Sequence, residues 1–100
     1  MNIQINKNDY DNLINGKIKA LLRLGERKFN IGDTLTFLLN DDIRTAVSKK
    51  VVEVSYCSLN EITDNQIRNI GYSSYEDFLS SFKTVFHIFH NDLCVVVEFE

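Results

Sequence analysis

Residues 13–37 read LINGKIKALLRLGERKFNIGDTLTF, and this stretch sets the architecture of the chain. It opens on the end of a short helix. Tyr10, Leu13 and Ile14 fall at i, i+3 and i+4, one apolar stripe of a helix predicted over residues 9–15 with Asn8 or Asn6 as its cap. Gly16 stands where a helix end favours a left-handed residue. Residues 18–24 form an apolar strand that carries Arg23 near its end. Residues 25–30 are polar and basic, the composition of a loop. Ile31-Gly32-Asp33 then leads into a second strand, Thr34–Leu39.

Outward from this centre, Ile3 and Ile5 alternate with polar neighbours and predict a short first strand over residues 1–6. Asn40-Asp41-Asp42 is a turn signal. Residues 43–59 alternate and are rich in β-branched side chains, predicting one long, bent strand of the kind small barrels use. The period changes after residue 60. Asn60 or Thr63 caps a short helix that ends at Ile70, with Gly71 as its stop. Ser73 or Ser74 caps a second helix whose buried stripe is Tyr75, Phe78, Leu79 and Phe82, with Glu76 and Asp77 in the first turn, where the helix dipole favours acids. Residues 85–90 and 93–99 read as two strands joined at Asn91-Asp92. Whether the last strand lies at a sheet edge or inside the barrel is open. The expected fold is α+β: a small barrel of about five to six strands with two to three short helices, one domain over residues 1–100.

The composition fits such a domain. It is 44% hydrophobic, with seven Phe and four Tyr, enough to build a core without disulfides or metal. No apolar run approaches the roughly 20 residues that span a bilayer, so no membrane association is expected. MNIQINKNDYD lacks the continuous apolar stretch of a secretory signal, and the expected location is cytoplasmic. Cys57 and Cys94 lie in apolar strand-like runs, where reduced thiols pack as small hydrophobes; nothing in the sequence asks for a disulfide.

Net charge is −3, but it is unevenly spread. Residues 1–58 hold nine basic and seven acidic side chains, a balance of +2; residues 59–100 hold two and seven, a balance of −5. Lys17, Lys19, Arg23, Arg27 and Lys28 face only Glu26 within a twelve-residue stretch. This is either a local basic patch able to steer a polyanion or a set of ordinary solvated strand-edge charges.

Little else points to chemistry. His87 and His90, three apart on a predicted strand, point to opposite faces and do not chelate one metal. No metal site or cofactor is expected. Gly16, Gly25, Gly32 and Gly71 are too dispersed for a phosphate loop, and no Ser-His-Asp or Cys-His-Asn set is recognisable.

The ordered motifs Gly16, Arg23, Ile31-Gly32-Asp33, Gly71-Tyr72-Ser73-Ser74, Glu76-Asp77-Phe78 and Val95-Val96-Val97-Glu98-Phe99 resemble an ASCH domain, of the PUA-like group, over residues 9–100. The resemblance implies an association with RNA and modified nucleosides. Some members hydrolyse N4-acetylcytidine with a Lys, a Thr and a Glu. The matching positions here are Ile18, Leu21 and, less securely aligned, Ile70. Aliphatic side chains supply neither nucleophile, proton shuttle nor charge stabilisation. Lys17 and Lys19 are adjacent to the Lys position, but a one-residue offset on a strand turns a side chain to the other face unless a bulge intervenes.

The sequence thus leans toward a non-catalytic domain that binds RNA or another nucleic acid through a basic cleft, with no catalytic residues. Lys17, Lys19, Arg23, Arg27 and Lys28 would make the phosphate contacts, and Tyr72 would offer a stacking face. The resemblance implies that Arg23 lines a cleft between barrel and helices; an ion pair with Asp33 or Glu76 is the structural alternative. Tyr72 and Tyr75 either stack on a base or staple a helix to the barrel. Two further readings stay open: an accessory protein of a phage or mobile element that binds a host protein, and a residual amidohydrolase or ribonuclease.

Overall fold

The structure, a computed structural model, describes residues 2–25, 27–86 and 93–100. Strand β1 (Asn2–Ile5) leads into helix α1 (Lys7–Ile14), then β2 (Ala20–Leu24), β3 (Thr34–Leu39) and the long β4 (Asp42–Ser58). A single 3-10 turn, Leu59–Glu61, precedes helices α2 (Asp64–Ile70) and α3 (Tyr75–Phe86), and β5 (Leu93–Phe99) comes last. The five strands form one sheet in the order β1-β3-β4-β5-β2. β1 pairs parallel to β3; the other neighbours are antiparallel. The sheet curls into a half-barrel with three helices among the described residues, an α+β fold as expected.

Local chemistry explains the boundaries. The Asn6 side chain accepts from the Asp9 N–H at 2.8 Å, starting α1 two residues earlier than a cap at Asn8 would. Asn40 and Asp41 both adopt positive φ, 51° and 62°, as a two-residue hairpin turn between β3 and β4 requires. Thr63 accepts from the Gln66 N–H at 3.2 Å while Gln66 returns a bond to the Thr63 N–H at 2.9 Å, a reciprocal cap on α2. Gly71, at φ 118°, ends that helix in the left-handed region. Ser74 Oγ accepts from the Asp77 N–H at 3.1 Å at the start of α3.

Three expectations are corrected. Ile14 is exposed, so the buried face of α1 rests on Leu13 and not on a three-residue stripe. The strand after Gly16 begins at Ala20 and not at Ile18, because residues 17 and 18 still donate back to the Asn12 carbonyl. Val85 and Phe86 belong to α3 and not to a strand: apolar residues at 78, 79, 82, 85 and 86 continue the helical period of that element. The rest of the predicted strand and its turn, residues 87–92, with His87 and His90, lie outside the described residues. The last strand sits inside the sheet, paired on both sides, and Cys94–Val97 are buried on both faces.

Two cores result. Inside the curl, Ile3, Leu13, Leu21, Phe29, Leu35, Phe37, Val51, Val95, Val97 and Phe99 pack together. On the outer face, Ala20, Leu22, Cys94 and Val96 meet Leu59, Ile62, Ile67 and Phe78. No helix among the described residues is long and apolar enough to cross a membrane.

Candidate binding cleft

The two edges of the sheet, β1 and β2, do not pair with each other. The curl brings them to opposite sides of a cleft of about 410 Å3, lined by Ile3 and Ile5 from one edge and by Leu21 and Arg23 from the other. Phe37 contributes to its lining, α1 contributes Asn8, Asp9 and Asn12, and the end of α2 contributes Ile70, Gly71 and Tyr72.

Ile18, Leu21 and Ile70, which are 52 positions apart end to end, all line this one cleft. Leu21 belongs to the inner core, and Ile18 packs against it. Gly71 is part of the same wall: a Cβ there would meet Ile18 Cγ1 at 3.2 Å. The cleft wall is therefore apolar at these three positions.

Arg23 follows Leu21 on the inward face of β2, since side chains two apart on a strand share a face. It is half-buried. Its Nη1 donates to the Leu22 carbonyl at 3.0 Å, and it forms no ion pair with a described acid. Asp33, one of the two expected partners, instead accepts from the Asn30 N–H at 2.9 Å and closes its own turn. Burial first, and the Arg27 charge second, hold the Arg23 guanidinium below its ordinary range. This end of the cleft is thus a desolvated cation near a second cation.

The other end has the opposite character. Tyr72 is half-buried, with its ring edge-on to Phe78 at 5.3 Å. Burial raises the Tyr72 phenol, and the charges of Asp9 and Asp77 raise it further. Asn8 and Asn12, one helical turn apart, line the same cleft. The sequence reading missed this wall. The i, i+4 repeat of asparagines on a helix was its one visible signal, and it reads equally well as a solvated face. Tyr75 is the staple: its hydroxyl donates to the Leu59 carbonyl at 3.1 Å and its ring lies 6.0 Å from Phe78.

The basic residues do not form one cluster in the cleft. Lys17 and Lys19 are exposed and flank Ile18 without lining the cleft. Arg27 is exposed, its charge felt at Arg23. Lys28 lines a separate cavity of about 550 Å3 with Gly25, Tyr56, Glu61 and Leu93. No group of three His, Cys, Asp or Glu able to hold a metal exists among the described residues.

No family model matches the chain, and no curated protein matches it. Solved structures do. An ASCH domain from Lactobacillus crispatus JV V101 superposes with a TM-score of 0.77 at 17% identity, covering 91% of this chain and 68% of that one. ASCH from Zymomonas mobilis gives 0.74 at 8% identity, covering 99% and 65%. Hypothetical protein PH0355 gives 0.70 at 18% identity and covers 100% and 98%, the same fold in a chain of nearly this length. This chain spans about two thirds of the Lactobacillus and Zymomonas chains. At these identities the likeness is one of fold.

Proposed function

From the ASCH fold of this chain we propose that it is a non-catalytic binding domain, and that its ligand is nucleic acid, single-stranded RNA in the first instance, held at the cleft between β1 and β2. The observation that carries the reading is Arg23: half-buried, without a described acidic partner, and destabilised by Arg27. A phosphate placed there would relieve both the desolvation and the repulsion. The polarity of the cleft suits a nucleotide. Its cationic end takes phosphate, while Asn8, Asn12 and Asp9 offer donors and acceptors to a base edge and Tyr72 offers a ring. Lys17, Lys19 and Arg27 act outside the cleft on flanking phosphates, and Lys28 acts from beside its separate cavity. Ile18, Leu21 and Ile70 give the cleft an apolar wall in place of reacting groups.

Titrating isotope-labelled protein with a short single-stranded RNA tests this. Amide shifts in the cleft residues 8–12, 18–23 and 70–72, with smaller ones at Lys17, Arg27 and Lys28, are the expected result. Replacing Arg23 with Met is expected to weaken binding roughly tenfold or more, and each exposed Lys→Ala change to lower the salt slope by about one. Unchanged affinity in the Arg23 variant would overturn the reading. Absence of shifts at low salt would move the search to a protein partner.

A further inference from the structure

The strongest feature outside the cleft is the cysteine pair. Cys57 and Cys94 are directly opposed in the β4–β5 ladder, and both thiols are free. Their sulfurs lie 3.8 Å apart. Residues opposed in an antiparallel ladder have Cα atoms about 4.5–5.5 Å apart, inside the range that a disulfide spans. Closing the bond to about 2.05 Å needs side-chain rotation and no change of register. The two thiols differ in access. Cys94 is 1% exposed, while Cys57 is partly exposed, and both line the cavity of about 550 Å3 beside Lys28 and Glu61. The chain has no third cysteine to compete.

We infer that Cys57 and Cys94 form a redox pair, a site of reversible cross-strand disulfide formation whose oxidant is a small hydroperoxide entering the cavity at Cys57. The Cys57 thiolate attacks one peroxide oxygen. The O–O bond breaks, leaving a sulfenic acid on Cys57 and a hydroxide, or an alkoxide from an organic hydroperoxide, that takes the released thiol proton to become water or an alcohol. Cys94 sulfur then attacks the Cys57 sulfur. The S–O bond breaks, the S–S bond forms, and the departing hydroxide leaves with the Cys94 proton as a second water. Two thiols are oxidised to one disulfide, and one hydroperoxide is reduced to two waters or to water and an alcohol.

The arrangement assigns the order of attack. Cys94 donates its S–H to the Cys57 carbonyl at 3.3 Å. Burial, then the neighbouring Cys57, pushes the Cys94 thiol up to about 12. Buried and 3.8 Å from the Cys57 sulfur, Cys94 meets the sulfenic sulfur and not the oxidant, and gives up its proton to the departing hydroxide as it attacks. Cys57 carries the exposed role. This inference is independent of nucleic-acid binding and fails or stands separately from it.

The test is treatment of the native protein with hydrogen peroxide, followed by thiol titration, intact mass and peptide mapping. Both thiols are expected to disappear together, the mass to fall by two hydrogens, one Cys57–Cys94 linked peptide to appear, and dithiothreitol to reverse it all. The bridged form is expected to melt roughly 10 °C higher than the reduced form. Cys57→Ser is expected to leave Cys94 unreacted. Addition of oxygen atoms at Cys57 with Cys94 still titrating, disulfide-linked dimers, or two thiols that persist through peroxide would each overturn it.

Discussion

Strand β2 serves two cores with opposite characters. Its outward residues, Ala20, Leu22 and Leu24, face a layer sealed by α2 and α3, where Phe78 is wholly buried between Tyr72 and Tyr75. Its inward residues, Leu21 and Arg23, face the interior of the curl, which is left open at the seam between β1 and β2. The outer layer carries no charge in its packing. The inner one ends in a guanidinium with no described acid to meet it. One strand thereby separates a sealed face from an open one by the parity of its residue numbers, and substitutions on its two sides are expected to have different consequences.

The largest effect is expected in the sealed layer. Phe78→Ala removes a ring that is 0% exposed and is expected to cost about 3–5 kcal/mol, read as a lower midpoint of chemical unfolding. RNA affinity of the remaining folded fraction would stay the same; loss of affinity in that fraction would show that the two layers are coupled.

A second break of the sealed layer comes from alkali. Cys94 is buried there with its thiol pushed up to about 12. Because the folded value lies above the unfolded one, its contribution to stability is complete below about pH 8.5 and is lost as pH rises toward 12. Between those limits the native protein is expected to lose roughly 1–3 kcal/mol more than Cys94→Ala does. Equal alkaline slopes for the two proteins would remove Cys94 from the account.

At the cleft the effects on stability shrink and those on binding grow. Gly71→Ala forces a side chain into φ 118° and against Ile18, 3.2 Å away, and is expected to cost about 1–2 kcal/mol and to narrow the cleft. Calorimetry of RNA binding checks the second part. Arg23→Met is the smallest in stability, within about 1 kcal/mol of the native protein and in the stabilising direction, since it replaces a half-buried charge by a side chain of similar length. It is also the change that would lower affinity most. A destabilised Arg23→Met protein would reveal a structural role and blur the contrast between the two faces.

Much of the fold was legible because its signals are local. The turn at Asn40 and Asp41, the cap at Thr63 (one of two candidates), the stop at Gly71 and the limits of β3 all follow from chemistry within a few residues. The end of α3 was misread because Val85 and Phe86 fit a strand alternation as well as a helical stripe, and length decides between them. The cleft was half legible. Ile18, Leu21, Arg23, Ile70 and Tyr72 were all singled out, and they meet. The α1 wall was not, because asparagines on a short helix carry no mark of which way they point. Nor was the parting of Lys28 from Arg23: five residues along the chain carry it past the end of β2 and out of the seam. The opposition of Cys57 and Cys94 depends on register between strands 37 positions apart, which no local pattern encodes.

β5 stands between β2 and β4 in space, yet follows both in the chain. Until it docks, β2 has no strand beside it, and the sheet formed by β1, β3 and β4 has only one wall of the cleft. Pairings of such sequence separation cost loop-closure entropy before they form, which slows folding relative to a fold of local contacts. The cleft thus exists only in finished molecules. If RNA binds at Arg23 as proposed, a binding signal followed in time would serve as a clock for the arrival of the last strand.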